Sequence, residues 1–191
     1  MTTKVGINGF GRIGRLILRA ILENYKDKIQ VVAINDLGSI DVNAHLIKYD
    51  SSHGTLKEDV EITKDGFKIL NQNIKVFSER DPGNIPWSKV GADVVLECTG
   101  LFLDKSSAEK HMKGGAKKVI ISAPAKEVDL TIVQGVNSKE LNKSHNIISN
   151  GSCTTNCLAP VAMVLDKNFG IEYGYMTTIH SYTGDQRLLD S

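Results

Sequence analysis

Short apolar runs recur along the first 150 residues, with apolar positions consecutive rather than alternating: Lys4–Asn8, Gln30–Asn35, Asp93–Cys98, Lys118–Ser122 and Ile147–Ser149. Runs of this kind belong to strands covered on both faces, as in a parallel sheet. Between the first two, Ile13, Leu16, Ile17, Ala20 and Ile21 fall at spacings of three and four within Arg12–Asn24, which predicts an amphipathic helix. Asp41–Tyr49 and Lys105–Lys113 carry weaker versions of the same pattern. Val60–Ile62, Phe67–Leu70 and Ile74–Phe77 are punctuated by Asp65-Gly66 and Asn71-Gln72-Asn73, and predict a small antiparallel excursion. Pro82 and Pro86 mark a loop, and Gly114-Gly115 a helix end. Strand, helix and strand in that order predict an α/β fold with a doubly wound parallel sheet.

From Gly151 the texture changes. Ser152-Cys153-Thr154-Thr155-Asn156-Cys157 leads into a helical pattern over Leu158–Asn168 and then a strand-like Tyr173–His180. Residues 1–151 are expected to form one complete domain and 152–191 the beginning of a second. The chain of 191 residues is 41% hydrophobic and 24% charged, and can bury a core that needs neither disulfide nor metal. A net charge of +1 argues against nucleic-acid or anionic-membrane binding by bulk electrostatics. No apolar run reaches the ~20 residues that span a bilayer, and Met1-Thr2-Thr3-Lys4 opens no signal-peptide pattern. Three cysteines are too few for a secreted disulfide framework, so a reducing, cytoplasmic setting is expected.

Gly9-Phe10-Gly11-Arg12-Ile13-Gly14 fits G-x-G-x-x-G between a predicted strand and a predicted helix. In that setting Gly9 permits the tight turn, Gly11 the approach of a pyrophosphate, and Gly14 the packing of helix on strand. The unpaired N–H groups that open the helix then face the phosphates. Asp36 follows the second strand at the distance where an acid takes ribose hydroxyls. A glycine-rich turn with a solvated Asp would share the glycines but not the whole order of elements. A carboxylate at 36 repels a 2′-phosphate, and Leu37-Gly38-Ser39 supplies no Arg to hold one, so NAD is expected rather than NADP. Arg12, Arg15 and Arg19 recur at helical spacing and read as a solvated basic face, with Arg12 set apart because it opens the helix.

Cys153 and Cys157 are one helical turn apart, but no further Cys or His stands nearby to complete a metal site, and no metal is expected. Two readings of Cys153 remain. It is a buried inert thiol, or it is a nucleophile at a helix start, where the dipole favours the thiolate and His180 can act as base. Cys157 and Cys98 read as structural.

The chain resembles phosphorylating glyceraldehyde-3-phosphate dehydrogenases over essentially its whole length. The resemblance rests on Ser152-Cys153-Thr154-Thr155-Asn156-Cys157, Ile7–Arg15, Asn35-Asp36, Lys48-Tyr49-Asp50-Ser51, Ser78-Glu79-Arg80-Asp81-Pro82, Ile121-Ser122-Ala123-Pro124 and His180-Ser181-Tyr182-Thr183. It implies a Rossmann NAD-binding domain followed by part of an α+β catalytic domain, since members of that family run well beyond residue 191. It implies Cys153 as nucleophile and His180 as base. With the glycine turn of Gly9, Phe10 and Gly11, it puts Arg12, Ile13, Asp36, Arg80 and Ser122 in contact with NAD, and Thr99 and Gly100 along its path. Ser152, Cys153, Thr154 and Thr183 would hold substrate or inorganic phosphate. Asp185-Gln186-Arg187 would begin a loop toward a neighbouring subunit, hence a homotetramer. The implied reaction is NAD-dependent oxidative phosphorylation of glyceraldehyde 3-phosphate to 1,3-bisphosphoglycerate, the glycolytic step. The alternatives are an NAD-binding module without turnover, or a dehydrogenase of erythrose 4-phosphate. Ser191 falls where NAD-specific members often carry an apolar residue, the one departure that weakens the cofactor expectation.

Overall fold

The computed structural model describes residues 2–181. Along the chain run β1 (Thr3–Asn8), α1 (Arg12–Asn24), β2 (Ile29–Asn35), α2 (Ile40–Lys48), β3 (Tyr49–Asp50), β4 (Gly54–Thr55), β5 (Val60–Thr63), β6 (Gly66–Ile69) and β7 (Gln72–Phe77). Then come α3 (Trp87–Val90), β8 (Val94–Glu97), α4 (Lys105–Ala108), α5 (Lys110–Lys113), β9 (Lys118–Ile121), β10 (Leu130–Thr131), β11 (Ile147–Ser149) and α6 (Cys153–Phe169). One nine-stranded sheet has the order β10-β11-β9-β8-β1-β2-β7-β6-β5. From β10 through β7 all neighbours are parallel, and only β5, β6 and β7 pair antiparallel. The chain proceeds outward from β1 through β2 to β7 and then returns to place β8 on the other side of β1. The crevice at that reversal is where α/β sheets bind ligands.

The continuous apolar runs have a direct cause. On β2, Ile34 joins one buried cluster and Ala33 another, and on β8 Leu96 and Val95 divide in the same way. Both faces of each strand are therefore covered, and each fully buried Ile or Leu contributes about 1.5–3 kcal/mol. On one face Ile7, Leu18, Leu22, Ile34, Ile47 and Phe67 pack together; on the other Trp87 and Ile85 pack against Ala33 and Val95. A Cβ on Gly6 would overlap the Trp87 indole, so glycine at that point of β1 is what admits the large ring.

The antiparallel excursion forms as expected over β5, β6 and β7, and β7 in addition pairs parallel with β2, which joins it to the main sheet. Several expectations are corrected. The helix expected over 105–113 is two short pieces broken at Glu109. Of the basic positions on α1, Arg12 is exposed, but Arg15 is half-buried and Arg19 buried rather than solvated. Arg19 is buried and donates from Nε and Nη2 to the Ile47 carbonyl (3.2 and 2.8 Å) and from Nη2 to that of Lys48 (3.1 Å), while Arg15 donates to the Phe10 carbonyl at 2.8 Å. The last carbonyls of α2 lack partners within their own helix, and a guanidinium can satisfy them without leaving the core.

Tyr173–His180, expected as a strand, has no regular secondary structure, because a strand needs a neighbour for its N–H and C=O groups and none stands there among the described residues. Likewise α6 buries none of its residues, so Cys157 is exposed rather than part of a core.

Candidate functional site

Every parallel strand points its C-terminal end toward one edge of the sheet, and the candidate site lies along it. Here a cleft of about 370 Å³ is lined by Gly9, Gly11, Asp36, Arg80 and Thr99, together with Asn8, Asn35, Leu37, Glu79, Cys98, Leu101 and Phe102. Gly9 adopts φ +88°, and a Cβ there would stand 2.8 Å from the Thr99 backbone nitrogen. At Gly14 a Cβ would collide with the Gly9 carbonyl, so α1 can approach β1 only with glycine at that position. A Cβ on Gly11 would meet nothing within 4 Å, which leaves the mouth of the turn open. Helix α1 starts there with no side-chain cap and no acid in its first turn. Its unpaired N–H groups and positive dipole end therefore suit an anionic group at the turn.

Asp36 closes the cleft on the β2 side. Its Oδ2 accepts from the Phe10 N–H at 2.9 Å and its Oδ1 from the Gly38 N–H at 2.8 Å. The carboxylate thus ties the glycine turn to the loop after β2 and keeps lone pairs for a further donor. Phe10 contributes its backbone only, since its ring is buried beside Phe67 with centroids 6.1 Å apart. Exposed Ile13 opens α1, and Arg12 beside it is held by Asp50 and by His53 Nδ1 at 3.2 Å. Asp50 accepts N–H bonds from His53 and Ser52, and these with Arg12 hold its carboxyl well below the ordinary carboxylate range. Gly100, at φ +73°, lies exposed beyond Thr99. Ser122 does not line the cleft; its N–H donates to the Glu97 carbonyl at 3.0 Å. Burial pushes the Cys98 thiol up to about 12, as fits its packing against the core.

Sequence reasoning missed a buried carboxylate behind this cleft, bonded to its lining residues Asn8 and Thr99. Glu97, 1% exposed, accepts from Asn8 Nδ2 (2.6 Å), Thr99 N (2.8 Å), the Thr99 hydroxyl (2.5 Å) and His111 Nε2 (2.8 Å). Asn8 in turn accepts from Asn35 Nδ2 at 2.8 Å, and Asn35 bonds both the N–H and the carbonyl of Glu79. A polar chain therefore links the ends of β8, β1 and β2 to the loop that carries Arg80. The signal available was a glutamate closing an otherwise apolar run, Val94-Val95-Leu96-Glu97.

On the same edge Gly151, buried at φ +68°, turns the chain from β11 into α6. Ser149 Oγ accepts from its N–H at 3.0 Å and donates to the Ala123 carbonyl at 2.7 Å, which fixes the turn. Ser152 caps α6 by accepting from the Thr155 N–H at 2.9 Å, and its hydroxyl lies 3.0 Å from that of Thr154. Cys153 is the first residue of the helix and is exposed, with Sγ 3.1 Å from His180 Nε2. The imidazole, then helix N–H groups, lower the thiol from its ordinary range. The Ser181 carbonyl, then Cys153, raise the His180 imidazole. Since Nδ1–H donates to that carbonyl, Nε2 is the nitrogen left to take the thiol proton. Neither member of the pair lines the cleft. Thr183, Asp185-Gln186-Arg187 and Ser191 lie outside the described residues.

A model of the glyceraldehyde 3-phosphate dehydrogenase NAD binding domain matches residues 3–105, more than half of the chain. The chain belongs to this family. The family's C-terminal domain matches residues 152–191. The glyceraldehyde-3-phosphate dehydrogenase of Streptomyces coelicolor is 58% identical over all 191 residues, which cover 56% of that relative. That of Pseudomonas aeruginosa is 54% identical and covered over 57%, and that of Geobacillus stearothermophilus 55% and 56%. The chain thus spans about half the length of the curated relatives it matches. The open glycine turn, the uncapped α1 and Asp36 fit the NAD that this domain takes.

Proposed function

We propose that the protein in its full length oxidises and phosphorylates glyceraldehyde 3-phosphate to 1,3-bisphosphoglycerate with NAD as cofactor. The observation that carries this reading is the 3.1 Å approach of Cys153 Sγ to His180 Nε2 at the start of α6, on the sheet edge that carries the dinucleotide cleft. The names and high identity of the relatives support the substrate. Gly9, Phe10 and Gly11 with Arg12 and Ile13 would hold the pyrophosphate, Asp36 the adenosine ribose, and Arg80, Thr99, Gly100 and Ser122 the rest of the cofactor. Ser152, Thr154 and Thr183 would hold substrate and inorganic phosphate.

Cys153, kept as thiolate by His180 and the helix start, attacks the aldehyde carbon, and the oxygen so formed takes the proton held on His180 Nε2 to give a thiohemiacetal and a neutral imidazole. His180 Nε2 removes the hydroxyl proton as the C=O bond re-forms. Bound NAD supplies the acceptor for the hydride that leaves this carbon, and a thioester remains on Cys153. Inorganic phosphate adds to the thioester, and loss of the Cys153 thiolate gives the acyl phosphate and the free nucleophile. We also place the boundary between the two domains at 151/152, where the second family match begins, and read the protein as a cytoplasmic homotetramer. Metal and nucleic acid have no part in this reading.

A rapid-mixing experiment tests it. Full-length protein with NAD and glyceraldehyde 3-phosphate but no phosphate should release one equivalent of NADH per site and stop, with the acyl group found on Cys153. Adding phosphate should start steady turnover. Steady turnover without phosphate would overturn the thioester route, and faster turnover with erythrose 4-phosphate would reassign the substrate.

A further inference from the structure

The carboxylate under the cleft is not paired with a cation. Trp87 Nε1–H donates to His111 Nδ1 at 3.0 Å, so that nitrogen carries no proton and His111 is a neutral imidazole that donates from Nε2. Every other partner of Glu97 is a donor as well: Asn8 Nδ2, the Thr99 N–H and the Thr99 hydroxyl. A protonated Glu97 could offer its proton only to the Thr99 hydroxyl, which already accepts from the Leu101 N–H at 3.0 Å and would then have no acceptor for its own proton, so the ionised side chain is the one that satisfies all four donors. Among the described residues no Lys or Arg bonds to it, and Arg80 lies beyond Asn35 on the β2 side.

The end of β8 is where this charge counts. With the adenosine ribose on Asp36 at the end of β2 and the pyrophosphate at the start of α1, the other half of a dinucleotide crosses the switch point toward β8. That half carries the nicotinamide, which is cationic when oxidised and neutral when reduced. We propose that Glu97, held ionised beneath the end of β8, makes the cleft select oxidised over reduced nicotinamide dinucleotide. The hydrogen bonds from four neutral donors fix the charge without cancelling it, and burial leaves it unscreened by salt. The inference rests on the cleft being the NAD site.

Titration of the full-length protein with NAD⁺ and with NADH tests it. Glu97→Gln should weaken NAD⁺ more than NADH, moving the ratio of the two dissociation constants by about tenfold. Glu97→Asp, which keeps the charge, should leave that ratio within about twofold of the parent while both affinities fall. A purely structural role would weaken both forms by the same factor in Glu97→Gln, and that result would overturn the proposal. If that variant does not fold, the parent decides: NAD⁺ must bind more tightly than NADH, and an equal or reversed order overturns the proposal. Binding of neither form to the parent would instead remove the NAD reading of the cleft.

Discussion

Trp87 and His111 are both fully buried, and the indole N–H of one meets Nδ1 of the other at 3.0 Å, their rings 5.9 Å apart and tilted by 48°. The bond decides which nitrogen of His111 faces Glu97. It also joins the core under α3, through His111, to the carboxylate behind the cleft. Trp87→Phe would leave Nδ1 a buried acceptor without a donor, which costs about 1–3 kcal/mol, and would add a cavity. Urea unfolding should show a loss of at least about 2 kcal/mol. A variant as stable as the parent would mean that the indole N–H is not what satisfies the ring.

Arg19 makes a second separable prediction. Its guanidinium fills the carbonyl end of α2, and since the Lys48 carbonyl also accepts from the Leu56 N–H at 2.7 Å, Arg19→Ala leaves the buried Ile47 carbonyl without its donor and should destabilise by about 1–3 kcal/mol. Arg19→Lys keeps the charge but not the planar fork, and should restore less than half of the loss. Full recovery in thermal melts by the lysine variant would show that charge alone, not the paired geometry, holds the helix end.

The periodicity of the sequence was enough to place β1, β2, β8, β9, β11 and α1, because burial on both faces of a sheet and on one face of a helix writes itself into consecutive and three-four spacings, whereas the two-residue β10 is too short to carry a pattern. The cleft was legible for the same local reason, since Gly9, Gly11, Gly14 and Asp36 follow one another within a single strand–helix–strand unit. What escaped detection is long-range. Arg19 looked solvated because nothing near it in sequence shows that α2 ends against it 28 residues later. Glu97, His111 and Trp87 come from three different elements, and no pattern within any one of them announces that they meet. The strand expected at Tyr173–His180 shows the opposite failure: its composition suits a strand, but composition does not supply the neighbour that a strand requires.

Asp36 links cofactor choice to the shape of the turn. It accepts from Phe10 and Gly38 while presenting its charge to the cleft. Asp36→Ala removes both the anchor of the glycine turn and the acceptor for ribose hydroxyls, so NAD affinity should fall about 10- to 100-fold. Affinity for NADP should fall less or rise, because the repulsion of a 2′-phosphate is gone as well. Calorimetric titration with both dinucleotides checks this, and equal losses for the two would show that Asp36 acts only through the turn.

The pH dependence of Cys153 reactivity follows from its pairing with His180. Thiolate is the form that alkylates, and a thiol lowered from its ordinary range stays ionised to lower pH than an unassisted one. Iodoacetamide should therefore label Cys153 below the pH range in which an unassisted thiol reacts readily. His180→Asn removes the largest cause of the lowering, so the midpoint of the rate profile should move up, with a severalfold slower reaction at low pH and convergence at high pH. Peptide mapping separates this thiol from exposed Cys157, and Cys98, pushed up to about 12 by burial, should remain unlabelled throughout and serve as the internal control. In full-length protein the same substitution should lower turnover by about 10²–10⁴-fold while NAD affinity stays nearly unchanged, since His180 does not line the cleft. An unmoved alkylation midpoint with turnover lost would mean that His180 serves only as a proton acceptor later in the reaction and does not prepare the nucleophile.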